Sequence, residues 1–449
     1  MSPAARRILL SVVAIVVVAA VAAIWIVRGP GPMAFADGQK MALADYKAAD
    51  PTGVPALLAK ASLVERGAYL ARAADCEACH TSQGGENYAG GLAIRLPFGT
   101  LYSTNITPDK ETGIGNYSDQ DFLGSVHRGT RRDGARLYPA MPFTSYTYMT
   151  EADALAIKAY LFSLPPVHAA IPANTLEFPF NQRWAMNFWS AVFNPDTRFE
   201  PDASKSPQWN RGAYLAEALA HCGECHTPRS LALALDNRRK FAGAVTAGWR
   251  AFNITSDKTT GIGGWRDDDL AAYLSIGHAA GHGTASGPMG EAVDHSLSRL
   301  APEDIRAMVA YIRSVPAIAS SDLPATLAPP APASHKQGGG TADPRGKMVF
   351  EGACVSCHDW SGESPISPFA TLTGTWAVND PSATNVAQIV ISGTRRHVPE
   401  DAVSMPAFGG AYTDDEIAAV ANYVTARFGS KGSQLTAQDV AELRKQTSQ

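Results

Sequence analysis

The chain has 449 residues, 45% of them hydrophobic, with 38 Lys and Arg set against 42 Asp and Glu for a formal charge of −4. That length supports about three small cores, and a near-neutral balance without a long basic run argues against nucleic acid as a partner. No Ser-His-Asp arrangement, phosphate-binding glycine loop or dinucleotide fingerprint is present, so the sequence offers no visible site for organic chemistry.

Reading from the N-terminus, residues 8–27 form an uncharged apolar run long enough to cross a bilayer as a helix. Arg6 and Arg7 precede it, which places the start of the chain in the cytoplasm and everything after the run on the far side. The run is either a transmembrane anchor or a signal peptide with a cleavage signal at Ala34-Phe35-Ala36. It exceeds the usual apolar stretch of a signal peptide, so a retained anchor is preferred.

Beyond the anchor the chain repeats itself. Arg66-Gly67-Ala68-Tyr69-Leu70-Ala71 recurs unchanged as Arg211-Gly212-Ala213-Tyr214-Leu215-Ala216, and more weakly as Arg345-Gly346-Lys347-Met348-Val349-Phe350. Each reads as a short helix leading into the same pentapeptide: Cys76-Glu77-Ala78-Cys79-His80, Cys222-Gly223-Glu224-Cys225-His226 and Cys354-Val355-Ser356-Cys357-His358. These motifs use all six cysteines. C-x-x-C-H is the attachment signature of c-type haem, in which two thiols bind the vinyl groups and the histidine ligates iron. Disulfides would scatter the cysteines, structural zinc would need two nearby pairs, and a redox C-x-x-C needs no attached histidine. Three covalently bound haem c groups are therefore expected, each attached on the exported side of the membrane.

Asn105-Ile106-Thr107 and Asn253-Ile254-Thr255 form a second matched pair, read as a shared loop geometry in preference to a hydrogen bond from Asn105 or Asn253 to a haem propionate. Each repeat closes on a capped helix, starting at Thr150, Ala301 and Thr413 and ending near Leu164, Val315 and Phe428. Tyr160, Tyr311 and Tyr423 hold equivalent places in these helices. A leading helix with a glycine, a haem motif, loops and a closing helix with an aromatic resemble the small cytochrome c fold. The expected fold class is all-α, with three tandem cytochrome c-like domains behind one N-terminal transmembrane helix. The domains are placed at 50–170, 205–318 and 342–430. Between them lie an ordered aromatic-rich connector at 171–204 and a Pro/Ala/Gly linker at 319–341, and a polar C-terminal tail closes the chain at 431–449. The connector either packs between haem domains, or docks a partner subunit or lies on the membrane surface.

Each repeat also offers a methionine in a Pro- or Gly-containing loop before its closing helix: Met141, Met289 and Met405. With His80, His226 and His358 they make three His/Met iron pairs, which leave no open iron site and suit electron transfer. His127, His278, His282 and His397 are the rival ligands, while Met149 and Met308 read as core. Arg131, Arg132, Arg395 and Arg396 either face propionates or an acidic partner, or form a solvated basic face.

On Gly67-Ala68-Tyr69-Leu70, Tyr102-Ser103-Thr104-Asn105-Ile106-Thr107, Leu137-Tyr138-Pro139-Ala140-Met141-Pro142, His221 to Arg229 and Met405-Pro406-Ala407-Phe408, the chain from Leu63 to Phe428 resembles a known family. This is the family of three-haem cytochrome c subunits of membrane-bound periplasmic dehydrogenases, typified by acetic acid bacteria. The resemblance implies a non-catalytic electron-transfer subunit at the bacterial cytoplasmic membrane, its haem domains periplasmic. It would carry electrons from a catalytic subunit of molybdopterin, PQQ or flavin type, with or without a small iron-sulfur subunit, to ubiquinone. Residues 281–289 and 372–380 look most like the molybdenum group, which favours an aldehyde dehydrogenase partner over a quinoprotein alcohol or flavin sugar dehydrogenase. A multihaem peroxidase or reductase with one open haem is an alternative, as is an anchored carrier feeding a terminal oxidase.

Overall fold

The computed structural model describes residues 2–35, 51–321, 344–397 and 402–447. Close to half of the chain is helical, and strand is confined to four two-stranded antiparallel hairpins among the described residues. These hairpins depart from a purely helical expectation. They are short loop-stiffening pairs such as Ala93–Leu96 with Gly99–Tyr102 and Thr394–His397 with Ala402–Met405.

The apolar run becomes helix Pro3–Arg28, 26 residues with none buried. At 1.5 Å per residue it measures about 39 Å, more than a bilayer's hydrocarbon core of ~30 Å. Its far end is tied to the body of the protein. Arg238 Nη2 donates to Ile26 O at 2.5 Å, Met33 is buried, and the Phe35 ring packs 6.0 Å from that of Tyr311.

Three helix crossings organise the rest of the chain. Leading helices Leu63–Ala73, Pro207–Tyr214 and Pro344–Val349 cross closing helices Glu151–Ser163, Pro302–Arg313 and Asp414–Phe428 respectively. The repeated glycine is what lets them touch. A Cβ on Gly67 would stand 1.8 Å from Ala156 O, on Gly212 1.8 Å from Ala307 O, and on Gly346 2.2 Å from Ala419 O. The Cβ atoms of Tyr160, Tyr311 and Tyr423 meet the same three glycines, which confirms their equivalence. Start signals match the residues: Ser62 with Glu65 and Thr413 with Glu416 form capping boxes, and Ser206 caps a helix with Pro207 in its first turn.

The first two crossings share one apolar core, which includes Leu70, Met149, Leu161, Leu215, Leu219 and Met308. Each such fully buried side chain contributes ~1.5–3 kcal/mol of transfer free energy. The pairing is reciprocal. Tyr69 donates to Asp304 Oδ2 at 2.6 Å, and Tyr214 donates to Asp153 Oδ2 at 2.5 Å. Arg211 adds a buried ion pair to Asp304 at 2.6 Å. The third crossing has its own core around Phe350, Ile417 and Val420, and joins the second through polar contacts and a few rings, with Phe252 edge-on to Trp376 at 5.3 Å. Arg250 pairs with Asp380 at 3.2 Å, its backbone N–H donates to Asn385 Oδ1 and its backbone carbonyl accepts from Asn385 Nδ2, while the buried Arg396 reaches Asp294 at 3.0 Å and Gly290 O at 2.5 Å.

Residues 431–449, expected to be a polar tail, carry helix Ala437–Gln446. Val440 and Leu443 seal the third core, and Arg444 pairs with Asp414 at 2.5 Å. The connector carries helix Met186–Phe193 and backbone bonds from Thr175 to Thr100 O and Glu177 to Phe98 O. Most of the linker at 319–341 lies outside the described residues.

Candidate haem centres

Each C-x-x-C-H pentapeptide forms a short helical turn just after its leading helix. In the second and third repeats the leading helix first widens into a five-residue π-turn, Leu215–Leu219 and Phe350–Cys354. The histidines of the three motifs are held identically. His80 Nδ1 meets Thr104 O at 2.6 Å, His226 Nδ1 meets Phe252 O at 2.7 Å, and His358 Nδ1 meets Ala370 O at 2.6 Å. A backbone carbonyl accepts only from a protonated nitrogen, so the tautomer is fixed with Nε2 bare, the form required of an iron ligand. Burial lowers the pKa of all three imidazoles, which favours the neutral ring.

The thiols agree with that reading. Burial pushes Cys76, Cys79 and Cys222 up to about 12, and Cys225 and Cys354 up to about 11. A redox dithiol needs a thiolate stabilised below its ordinary range, and these sites do the reverse. No two cysteines are joined in a disulfide, and among the described residues no group of three His, Cys, Asp or Glu is gathered for a protein-only metal site. Two thiols and one oriented imidazole in each motif, with Cys76, Cys222 and Cys354 packed against apolar cores, are the residue set that covalent porphyrin attachment requires. Bound there, haem c supplies one-electron redox chemistry.

Met141, Met289 and Met405 are each partly buried and border the same cores as Cys76, Cys222 and Cys354. Met149 and Met308 are fully buried core residues. Two of the rival histidines are engaged elsewhere, and His127 is fully buried, where burial together with Arg198 brings its pKa down to about 4. His278 meets Thr284 Oγ1 at 3.0 Å, and His282 stacks on Trp265 with centroids 3.8 Å apart. The side chain of His397 lies outside the described residues.

Asn105 and Asn253 spend their amides inside their loops. Asn105 donates to Thr112 Oγ1 and Val167 O and accepts from Thr107, and Asn253 repeats the pattern with Thr260, Ile318 O and Thr255. The same loops orient the motif histidines, because the residues just before each asparagine, Thr104 and Phe252, supply the carbonyls that their Nδ1 atoms meet. The repeat is visible in the sequence, but a backbone acceptor has no side-chain signature. Arg396, expected to face a propionate or solvent, is instead a buried clamp between the second and third repeats. Arg131 and Arg132 lie at the surface beside Asp133 and Asp121.

Tyr146 links the segments that lead into the first two motifs, its ring edge-on to His221 at 5.6 Å and its hydroxyl donating to Ala74 O at 2.5 Å. Glu224 accepts from Thr144 and Ser145 of the first repeat and pairs with Arg229 at 2.6 Å.

The cytochrome c sequence profile matches residues 64–165 and 344–427. The chain is 39% identical to the fructose dehydrogenase cytochrome subunit of Gluconobacter japonicus over 88% of its own length and 85% of the relative's. It belongs to the family of cytochrome c subunits of dehydrogenase complexes. The gluconate 2-dehydrogenase cytochrome c subunit of Pantoea cypripedii is 38% identical over 86% of this chain and 90% of the relative. The cytochrome c subunit of the quinone-type alcohol dehydrogenase of Gluconobacter oxydans is 35% identical over 85% of this chain and 82% of the relative. A cytochrome c subunit carries haem c covalently, as the attachment motifs require.

Proposed function

We propose that this subunit carries three haem c groups in three cytochrome c domains and relays electrons from a periplasmic dehydrogenase to ubiquinone in the membrane it is anchored to. Cys76, Cys79 and His80 hold the first haem, Cys222, Cys225 and His226 the second, and Cys354, Cys357 and His358 the third. Met141, Met289 and Met405 supply the sixth ligands. The observation that carries this reading is the threefold recurrence of a histidine whose Nδ1 is committed to a backbone carbonyl. A His/Met iron with both axial positions filled exchanges electrons without binding substrate, and the thioether ligand raises its potential. The protein's part is to hold ligands, exclude water and fix spacing.

The case for a molybdopterin aldehyde dehydrogenase partner rests on residues 281–289 and 372–380. Those two segments pack against one another, with Gly374 against Gly281 O and Thr284 donating to Phe369 O beside them. Their sequence therefore reports how the second and third repeats join. The fructose and gluconate dehydrogenase relatives favour a second reading, a partner that oxidises a sugar or sugar acid.

Mass spectrometry of the acid-denatured protein is expected to show three attached haems, and fewer would refute the assignment. Met141→Ala, Met289→Ala and Met405→Ala are each expected to remove one share of the Met-to-iron absorption band. Retention of the full band in any variant would refute that ligand. A high-spin signal in the oxidised wild type would instead favour a peroxidase or reductase. Detergent purification of the native complex, followed by identification of the copurifying cofactor, decides the partner.

A further inference from the structure

The connector carries aromatics in a place that packing does not explain. Phe178 is 79% exposed, Trp184 63% and Phe188 70%. Trp184 and Phe188 are neighbours, edge to face with centroids 6.1 Å apart. The opposite side of the same helix is anchored: Trp189 donates to Ala232 O at 2.7 Å and packs edge-on to Phe143, and Ser190 is buried. Arg183 donates to Arg136 O at 2.6 Å, and Arg136 in turn to Asn187 Oδ1 at 2.8 Å. These rings are thus held outward by a rigid frame. An exposed apolar patch of this kind marks a contact surface.

The position of the patch says which contact. Helix Pro3–Arg28 lies against helix Met186–Phe193, and Trp25, 78% exposed, sits near the end of the span. The segment that receives Trp189 also presents a fully exposed Leu231, and a few residues on, Arg238 grips the end of the span. Aromatic rings with arginines around them, at the level where a spanning helix leaves the hydrocarbon, match the chemistry of the lipid headgroup boundary. We propose that Phe178, Trp184, Phe188 and Leu231 insert into the outer leaflet of the bilayer. They form a second membrane contact that fixes the tilt of the haem-bearing body over the lipid surface. This rests on the reading of Pro3–Arg28 as a retained anchor.

The test uses the full-length holoprotein in nanodiscs of phosphatidylethanolamine and phosphatidylglycerol doped with a lipid bearing a diazirine high on its acyl chain. After photolysis and digestion, lipid adducts are expected on the peptide holding Trp184 and Phe188 as well as on Pro3–Arg28. In Trp184→Ser/Phe188→Ser the connector adducts should fall several-fold, with labelling of Pro3–Arg28 and the haem spectrum unchanged. A connector free of adducts overturns the proposal, as does one that loses its adducts whenever a catalytic subunit is added. Absence of the N-terminal peptide from the mature protein would refute the anchor alone, since connector adducts would still establish the patch.

Discussion

Tyr69 and Tyr214 show how much a single repeated residue can do. Each donates its hydroxyl to an aspartate on the other repeat's closing helix and accepts from a backbone amide, Ala301 N at 3.1 Å and Thr150 N at 3.3 Å. Tyr69→Phe and Tyr214→Phe should each cost about 1–2 kcal/mol, because a buried amide loses its acceptor while the aspartate keeps its other partners. Urea unfolding followed in the Soret region measures this. Met348 takes the tyrosine's place in the third repeat and is exposed, so Met348→Leu should leave stability unchanged. His127 gives a prediction in pH. Its folded pKa, about 4, lies below its ordinary value near 6.5, so the folded state resists the proton that the unfolded state accepts. Its contribution is complete above pH ~6.5 and is lost as pH falls toward ~4. His127→Leu should flatten the acid-side fall in melting temperature over that window, and an unchanged slope would contradict it.

Among the elements, the crossings are set by absent atoms. Gly67→Ala places a methyl inside a carbonyl's contact radius, and the helices must part at a cost of about 1–3 kcal/mol. Gly352→Ala, which has open space around it, should cost nothing and serves as the control. The closing helices are legible in the sequence almost to the residue, because caps and prolines are local chemistry that packing does not override: the expected Thr413–Phe428 helix starts at Asp414 and ends at Phe428. The C-terminal helix is hidden for the opposite reason. Its composition is polar, and only two apolar side chains, Val440 and Leu443, meet the core, too few for a visible stripe. The hairpins escape notice because each is two to four residues per strand and lacks alternation. At the haem centres, cysteines and histidines are evident from spacing, whereas the carbonyls of Thr104, Phe252 and Ala370 are not, since any residue type supplies one.

At the scale of the molecule, three similar repeats do not make three independent bodies. The first and second are interlocked by one continuous core and by the reciprocal Tyr–Asp bonds, and Tyr146 links the segments that precede their Cys-x-x-Cys-His motifs. The third has its own core and meets the second through polar side chains such as Arg250 and Arg396 and through a few ring contacts such as Phe252 with Trp376. A continuous core couples unfolding more tightly than this joint, because separating the first pair exposes shared core surface to water, whereas separating the second uncovers a few rings and otherwise exchanges hydrogen bonds for water. Damage to the second crossing should therefore spread to the first and spare the third. In Gly212→Ala, amide hydrogen exchange should quicken in closing helices Glu151–Ser163 and Pro302–Arg313 together, while Asp414–Phe428 keeps its wild-type rate. Gly346→Ala should do the reverse. Equal acceleration of all three helices in either variant would mean that the joint to the third repeat transmits unfolding as strongly as the shared core.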